Sequence, residues 1–516
     1  MEQPGGRGAR RGAGMVLRGD VPLVGLTVVL ALVVALVPSK SARSGSEPVP
    51  GTLIGKGPAT SGACEGGARQ TKEPYSPPCI KWKGGDNGGA TSLGVTEKAV
   101  KVVFREGNLP SLFAVAGKIG KGLGITDDDE DVRRTTRAYF DYFNKKFETY
   151  GRKVEVEFYK GKGDQLQEFF GGSPEAATAD AIRVSQEIKA FADLSVLTVP
   201  YAEALAKQKV LAIPPIHMSR SWYKDHAPYT WGVFVDCSRL VDAIMDYGLK
   251  RLFDKPAKYA GDPAMRTETR KLAVVTPEQP WYKECVDEGV AKLEKLGKKL
   301  DLRINYKLDF GQLATDAPGI VAKLKAAGIT TIACGCDPIL PLFMAGQADQ
   351  QNYHPEWFVA ATALTDVDVL GQIYPADQWK HAFGLSFLGV INQGAKSESY
   401  RAYKEVRDDE PAFVHDVLYF PILLFFLGIQ TAGPNLTPET FQQGLFNLEP
   451  LVGETGTWSF GPDDYTATDD AREIYWDPKG ESPFNGKPGR YAEGLGGKRF
   501  SGADWPSGQP DLPIKP

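Results

Sequence analysis

The chain has 516 residues, of which 42% are hydrophobic and 24% are charged, a composition typical of a globular protein with room for more than one core. Its formal net charge is −4 at pH 7. That balance gives no positive field to hold a phosphate backbone, so no nucleic-acid partner is expected.

The first 44 residues are predicted to be an export signal or an uncleaved N-terminal anchor. Several arginines precede an uncharged apolar run from Val21 to Val37, and small residues follow it. This order is typical of a secretory signal. The run is slightly shorter than the roughly 20 residues of a membrane-spanning helix, and both alternatives stay open. In either case we expect the protein outside the cytoplasm, secreted or held at the cell surface.

The six cysteines fit an oxidising compartment. Cys64 and Cys79 lie in a Gly/Pro-rich lead segment, residues 45–97, which we interpret as a linker. We expect these two to pair, because that segment has no core in which to bury a free thiol. The pairing of the other four is left open by the sequence; they are Cys237, Cys285, Cys334 and Cys336. No metal site is predicted at the Cys-Gly-Cys triplet, because no His and no second pair of Cys lies near it at ligand spacing.

Strands and helices alternate from residue 98 onwards. Runs of β-branched or alternating residues predict strands, and apolar residues at helical spacing predict helices. The predicted elements are strand Lys101–Arg105, helix Asp131–Tyr150, strand Lys153–Tyr159, helix Pro174–Ile188, strand Ala190–Leu197, helix Tyr201–Gln208 and strand Val210–Pro214. This alternation predicts a parallel sheet with helices on both faces.

The same pattern restarts at Lys271 and predicts a second unit of the same kind. Its elements are strand Lys271–Thr276, helix Trp281–Leu296, strand Leu302–Leu308, helix Ala317–Ala327, strand Thr330–Ala333, helix Leu340–Asp349 and strand Trp357–Ala361. Between the units, Tyr229–Asp236 is predicted to be the first crossing strand. The apolar run Phe413–Thr431 contains Pro421 and is predicted to be a buried helix that returns to the first unit, rather than a membrane span.

Two such units without a long linker predict an α/β protein of two Rossmann-like lobes. Their parallel sheets would be joined by crossing hinge strands, with a ligand cleft between the lobes. Lobe 1 is predicted over residues 98–234 and 392–452, and lobe 2 over residues 235–391 and 453–482. Residues 483–516 are again rich in Gly and Pro and are predicted to be a C-terminal tail that lies over the surface.

Candidate ligand-binding residues follow from the rule that open α/β sheets bind ligands beyond the carboxyl ends of their strands, near helix N-termini. The candidates are Arg105, Glu106, Thr198, Tyr201, His217 and Ser219 in lobe 1, and Glu278, Trp281, Tyr282, Asp337, Thr362 and Asp366 in lobe 2. Glu278, Asp337 or Asp366 could hold an ammonium group, and the aromatic residues could wall an apolar part. For each single residue, a helix cap or a surface turn is the alternative. We expect Ala at Tyr201 or Asp337 to weaken solute binding without unfolding the protein.

Enzyme signatures are missing from the sequence. It contains no G-x-S-x-G elbow and no P-loop, no G-x-G-x-x-G follows a predicted strand, and its five histidines are scattered. The acidic run Asp127–Asp131 lacks the glycine and distal glutamate of an EF-hand loop and predicts a solvated helix start instead. We therefore expect a binding protein without a cofactor or metal, not an enzyme.

Seven segments carry a family resemblance through their order and spacing. They are GATSLGVTEKAVKVV (Gly89–Val103), RAYFDYFN (Arg137–Asn144), GRKVEVEFYKGKGD (Gly151–Asp164), KPAKYAGDP (Lys255–Pro263), CDPILP (Cys336–Pro341), QNYHPEW (Gln351–Trp357) and DQWKHAFG (Asp377–Gly384). Together they resemble the type I periplasmic-binding proteins of the leucine/isoleucine/valine-binding group, in a form found in actinobacterial genomes. The resemblance covers roughly Gly89 to Gly453. It implies export, hinge closure on a small-molecule solute and an ABC permease complex as membrane partner, and we expect a monomer.

The chain departs from the amino-acid binders of that group at two loops. Those proteins carry small and hydroxyl-bearing residues for the carboxylate of the ligand, whereas this chain reads Leu197-Thr198-Val199-Pro200 and Pro215-Ile216-His217-Met218. The expected solute is therefore an amino acid, an amide or another small carboxylate, including aromatic acids. The alternative function is a membrane-anchored ligand-sensing ectodomain that is not coupled to an importer.

Overall fold

The computed structural model describes the residues 64–106, 127–169, 171–216, 218–389 and 394–514. The predicted export segment and the candidate His217 lie outside the described residues. Within them, the chain forms two α/β lobes, each with its own sheet.

The strands and helices alternate along most of the chain. The strands are β1 (Ala99–Glu106), β2 (Lys153–Lys160), β3 (Ala192–Asp193), β4 (Leu211–Ala212), β5 (Leu272–Pro277), β6 (Leu302–Tyr306), β7 (Thr331–Cys334), β8 (Glu356–Val359), β9 (Ala382–Ser386), β10 (Leu451–Gly453), β11 (Gly456–Trp458), β12 (Ala471–Glu481), β13 (Pro488–Glu493) and β14 (Arg499–Phe500). The helices are α1 (Asp129–Lys146), α2 (Gln165–Phe169), α3 (Pro174–Ile182), α4 (Val199–Lys207), α5 (Arg220–Asp225), α6 (Cys237–Tyr247), α7 (Pro280–Lys295), α8 (Phe310–Ala326), α9 (Leu340–Gln350), α10 (Asp368–Gly371), α11 (Ala376–Trp379), α12 (Glu398–Lys404), α13 (His415–Ala432) and α14 (Pro438–Phe446).

Lobe 1 is built on a parallel sheet whose strand order in the described residues is β2-β1-β3-β4. β1 is buried on both faces: Val102 and Phe104 belong to one hydrophobic core, and Val103 belongs to another. A strand covered on both sides reads as a continuous apolar run, which is how the sequence reveals it.

The acidic run opens α1, as the sequence predicts. The side chain of Asp128 accepts hydrogen bonds from the backbone N–H groups of Glu130 and Asp131, and Asp131 accepts one from the N–H of Asp128. This capping box satisfies free N–H groups at the helix start, and the negative charges lie at the positive end of the helix dipole.

The apolar helix α13 forms the centre of lobe 1. It is the one helix of the described residues that is long and apolar enough to cross a membrane, but 78% of that window is buried inside the protein. Its Phe426 stacks on Phe143 of α1 at 5.1 Å between ring centroids, and its Phe425 lies 5.9 Å from Phe441 of α14. The helix therefore serves as a core element, as predicted.

Lobe 2 contains the larger sheet, which has eight strands in the described residues. The strands β6, β5, β7, β8 and β9 run parallel, and β12 pairs antiparallel with β9. A disulfide joins Cys237 of α6 to Cys285 of α7, and another joins Cys334 to Cys336 at the end of β7. These bonds resolve the pairing that the sequence left open.

The C-terminal residues are not a surface tail, which corrects the prediction for residues 483–516. They supply β13 and β14, both antiparallel to β12. Tyr491 of β13 packs on Trp476 with ring centroids 5.0 Å apart and donates a hydrogen bond to the carbonyl of Thr365. The prediction failed because an edge strand gains most of its stability from its partner strand, so its own sequence needs little apolar periodicity.

The lead segment is likewise part of lobe 1 from residue 64 onwards, rather than a linker. Tyr75 is fully buried, stacks on Trp458 at 4.5 Å and donates a hydrogen bond to the carbonyl of Gly456. The predicted pair Cys64 and Cys79 is joined by a disulfide in the structure. The sequence of this segment shows no hydrophobic periodicity, because only isolated residues such as Tyr75 pack into lobe 1.

Two crossing segments between the lobes lie side by side. The N–H of Gly232, in the predicted crossing strand, donates to the carbonyl of Tyr465, and the N–H of Ala467 donates to the carbonyl of Gly232. Trp458 and Phe460 still belong to the core of lobe 1. The chain therefore leaves lobe 1 after residue 460, later than the predicted boundary at 453.

We expect Tyr75→Ala to lower the free energy of unfolding by about 3–5 kcal/mol, because it empties a fully buried aromatic site. Tyr75→Phe should cost only about 1–3 kcal/mol, since it removes the hydroxyl contacts alone. Denaturant unfolding measures both, with Val452→Ala as the control because Val452 is 66% exposed. Equal stability of Tyr75→Ala and the control would show that the lead segment is detached in solution.

Two carboxyl groups of lobe 1 lie close together, the buried Glu398 and the half-buried Glu454. Glu398 is 1% exposed and accepts a hydrogen bond from Tyr419, and Glu454 accepts one from the N–H of Glu398. Burial raises the pKa of Glu398 to about 8 and the pKa of Glu454 to about 7. Their folded-state pKa values lie above the values of an unfolded chain, so their stabilising contribution is lost as the pH rises through about 8.

We expect the free energy of unfolding to fall between pH 6 and pH 8, with Glu398 contributing about 1 kcal/mol per pH unit. Denaturant unfolding at the two pH values should show a shallower dependence in Glu398→Gln. The exposed Glu439→Gln serves as the control and should keep the slope of the wild type. An unchanged slope in Glu398→Gln would contradict the assignment.

Candidate functional site

The carboxyl-end edges of the two sheets face each other across a contact between Trp281 and Gly171. Trp281 lies in the first turn of α7, directly after β5, and Gly171 follows α2 in lobe 1. A Cβ on Gly171 would lie 2.8 Å from Cη2 of Trp281, and the φ of +81° at this residue also favours glycine. A second contact joins the lobes where Ser221 donates to Glu284 with 2.6 Å between the oxygens.

Three of the lobe 1 candidates lie in one buried network instead of facing the cleft. Arg105 is 1% exposed and donates to both carboxylate oxygens of Glu168, at 2.8 and 2.6 Å, and to Asp180 at 2.7 Å. Thr198 donates to the same Glu168 at 2.8 Å. The guanidinium of Arg105 also lies 4.1 Å from the ring centroid of Tyr201. Because Glu168 lies on α2 and Asp180 lies on α3, Arg105 links β1 to both helices.

Tyr201 closes this network on the other side. Its hydroxyl donates to Asp193 at 2.6 Å and is hydrogen-bonded to the hydroxyl of Tyr159. Burial raises the pKa of both Tyr201 and Asp193. Because Tyr201 is 1% exposed and hydrogen-bonded, Ala at this position would remove buried contacts and lower stability as well as any solute binding. The first turn of α4, which was predicted to form a ligand wall, is instead turned inward onto β3.

The other two described candidates of lobe 1 stand apart from this network. Glu106 is bound by the guanidinium of Arg133, with one contact of 2.7 Å. Ser219 is the N-cap of α5 and accepts from the N–H of Trp222 at 3.1 Å. The structure therefore supports the cap alternative for Ser219.

Asp337 of lobe 2 is also committed to a structural role. It is 1% exposed, and its carboxylate accepts from the hydroxyl of Tyr306 and from the N–H groups of Ile339 and Leu340. These bonds fix the start of α9, so Ala at Asp337 would lower stability for the same reason as at Tyr201. Tyr282 lies close to this carboxylate, whose charge helps to raise the pKa of the phenol beyond the effect of burial.

The loop after β5 holds the accessible candidates. Glu278 is exposed and Trp281 is half-buried. Two residues outside the predicted candidates lie nearby, Thr276 at the end of β5 and Gln279 in the loop: the hydroxyl of Thr276 and Oε1 of Gln279 are buried and find no hydrogen-bond partner among the described residues. Lobe 1 offers a similar group, Oε1 of Gln165 at the start of α2. Their positions just after strand ends could have identified them.

Thr362 and Asp366 follow β8 at the same edge of lobe 2. The hydroxyl of Thr362 lies 3.4 Å from the carbonyl of Cys334, to which it donates. Asp366 is 6% exposed and lines a cavity of about 290 Å³ within lobe 2. Trp281, Tyr282 and Asp337 thus adjoin one another through the ends of β5, β6 and β7, whereas Asp366 belongs to a separate cavity.

Comparison with known proteins agrees with this geometry. A family model described as "Periplasmic binding protein" matches residues 125–481, well over half of the chain. The chain belongs to the periplasmic binding protein family. This family is made of solute-binding proteins, which are not enzymes, and the two-lobed arrangement here is its type I fold. No curated protein matches the sequence.

Solved structures share the periplasmic binding fold at low sequence identity. A solute-binding protein of an ABC transporter from Rhodopseudomonas palustris BisB5, in complex with 3,4-dihydroxybenzoic acid, has a TM-score of 0.53 and 13% identity over 78% of this chain and 98% of that chain. A leucine-, isoleucine-, valine-, threonine- and alanine-binding protein from Brucella ovis has a TM-score of 0.54 and 14% identity over 80% and 99%. A fatty acid ABC transporter substrate-binding protein from Thermomonospora curvata has a TM-score of 0.53 and 16% identity over 81% and 96%. These likenesses show the fold.

We expect Arg105→Met to lower the free energy of unfolding by about 3–5 kcal/mol, because it leaves the carboxylates of Glu168 and Asp180 buried without their cation. Arg137→Met is the matched control: that side chain is 52% exposed, and its removal should change stability by at most about 1 kcal/mol. Denaturant unfolding compares the two. A small effect at Arg105, combined with lost solute binding, would return this residue to the ligand site.

Proposed function

We propose that this periplasmic binding protein captures a small-molecule solute between its lobes and delivers it to an ABC importer. The observation that carries the proposal is the Trp281–Gly171 contact, where an aromatic side chain of lobe 2 meets the backbone of lobe 1 at the carboxyl ends of both sheets. Ligands of open α/β sheets bind at such edges. The unpartnered polar atoms of Gln165, Thr276 and Gln279 lie in the segments on either side of this contact and would hydrogen-bond the solute.

The chemistry of this edge favours a carboxylate without an ammonium group over an amino acid. Asp337, the buried carboxylate among the cleft candidates, already accepts three hydrogen bonds and caps α9. The carboxylate that remains at this edge to bind an ammonium group is the exposed Glu278. The hydroxyl of Thr276 can instead donate to a carboxylate oxygen, Oε1 of Gln279 can accept from a hydroxyl group, and Trp281 offers an apolar face. An aromatic or aliphatic acid is the solute class that we favour.

Lobe closure is the mechanical part of the proposal. Periplasmic binding proteins are a known example of hinge closure around a ligand. A solute that contacts both lobes binds the closed form more tightly, and only this difference in affinity shifts the population towards closure. The closed form would then be the one that an ABC permease recognises outside the cytoplasm.

We expect Trp281→Ala to weaken binding of the solute that co-purifies with the protein by at least tenfold, as truncation of a central aromatic anchor commonly costs about 2 kcal/mol. Native mass spectrometry identifies the co-purified molecule, and calorimetry measures its affinity. The matched control is Trp82→Ala, because Trp82 is also half-buried but packs on Tyr150 in the outer part of lobe 1.

Three outcomes would oppose the proposal. An unchanged affinity in Trp281→Ala would move the site away from this edge. Chemical conversion of the bound solute during incubation would contradict a binding protein. A cell that lacks the protein should also take up the solute more slowly, and normal uptake would contradict delivery to an importer.

A further inference from the structure

The cavity of about 290 Å³ lies within lobe 2. It is bounded by the end of β9, by β12, by β13 and by the loop that precedes β13. Tyr475, Phe484 and Tyr491 supply aromatic walls. The ring of Phe484 also touches Phe413 of lobe 1, with 4.5 Å between the centroids in an edge-to-face arrangement. The cavity therefore lies directly behind a contact between the lobes.

A buried guanidinium lines one side of the cavity. Arg472 is 7% exposed; its Nη1 donates to Glu493 at 2.5 Å, and its Nη2 donates to the carbonyl of Gly389 at 3.4 Å. Its Nε is buried and has no hydrogen-bond partner among the described residues. This N–H group can donate a hydrogen bond to an anionic oxygen that enters the cavity.

A buried carboxylate lines another side. Asp366 is 6% exposed, and its Oδ2 has no hydrogen-bond partner within the described part of the chain. The nearby Asp368 differs, because it accepts from the hydroxyl of Ser482 and from the N–H of Tyr491. Asp366 therefore offers an acceptor to a hydroxyl group, while the neighbouring acid is already occupied.

Leaving both groups unpaired is costly, since a buried polar group without a partner has lost its hydrogen bonds to water and gained none in return. Ordered water could satisfy them in a polar cavity. The cavity is, however, close to the size of small-molecule pockets, roughly 300 Å³ and upwards, and combines a few convergent polar groups with aromatic walls as such pockets do. Aromatic side chains do not help to hold water, whereas they make favourable contacts with the ring of an aromatic acid.

We propose that this cavity is a second binding site, for a small hydroxylated aromatic carboxylate whose acid group meets Nε of Arg472 and whose hydroxyl meets Oδ2 of Asp366. Trp281 does not line this cavity, which lies at the β9 and β12 side of the sheet, and the proposal does not depend on the proposed function. Because Phe484 forms both a wall of the cavity and the contact with Phe413, an occupant of the cavity would also stabilise this contact between the lobes.

The test uses 2-, 3- and 4-hydroxybenzoate as probes, with benzoate as the analogue that lacks the hydroxyl. Calorimetry is done on the full chain carrying Trp281→Ala, so that binding at the facing edges of the lobes is weakened. We expect at least one isomer to bind about tenfold more tightly than benzoate, the factor that one hydrogen bond to a charged group provides. Asp366→Asn should abolish that preference, and Arg472→Gln should weaken both kinds of probe.

Two further variants separate the cavity from general loss of structure. Ala492→Leu fills the cavity without removing a polar group, because Ala492 lines it, and should block every probe. Asp470→Asn is the matched control, since Asp470 is a buried carboxyl of the same lobe that pairs with Arg499 at 2.6 Å; it should leave the probe affinities unchanged. The thermal unfolding of each variant checks that it folds.

The proposal is overturned if no isomer binds, in which case the cavity holds water only. It is also overturned if Ala492→Leu and Asp366→Asn both keep the affinities of their parent. A loss of binding in Trp281→Ala alone, with the cavity variants unaffected in the wild-type background, would assign the probes to the edge between the lobes and would leave the proposed function standing.

Discussion

The pairing of two crossing segments at Gly232 is the constraint on which the two-lobed arrangement depends. Gly232 exchanges backbone hydrogen bonds with Tyr465 and Ala467, and a Cβ at this position would lie 2.7 Å from both Thr466 and the hydroxyl of Tyr223. Only glycine allows this close approach. Arg239 adds a contact of 2.6 Å to Asp464 beside it. With the crossing segments held together, the carboxyl ends of both sheets face each other.

Buried charges hold the loops behind each sheet edge. In lobe 1, Arg105 ties the end of β1 to Glu168 and Asp180, and in lobe 2 Asp337 fixes the start of α9. Such networks stabilise only when every member is satisfied, and here the named bonds account for the central groups. Buried polar residues hold the loops in place, and the half-buried Trp281 is the residue that we propose contacts the ligand.

Much of the fold could be predicted, because parallel strands with both faces buried leave a strong apolar signal, as in β1, β5 and β7. The segments that were misjudged take their structure from distant partners: β13 from β12, and Tyr75 from Trp458. The site was predictable only as a set of loops. Position after a strand does not determine which way a side chain points, so Arg105 and Tyr201 were chosen although they turn inward, and Thr276 and Gln279 were passed over.

The central claim is that two lobes close on a small molecule that leaves unaltered. Small-angle X-ray scattering of the solute-free and the solute-loaded protein tests it most directly, because closure brings the centres of the lobes together. The account requires a smaller radius of gyration when the solute is bound at one molecule per chain. An identical radius in both states, at full occupancy, would contradict it.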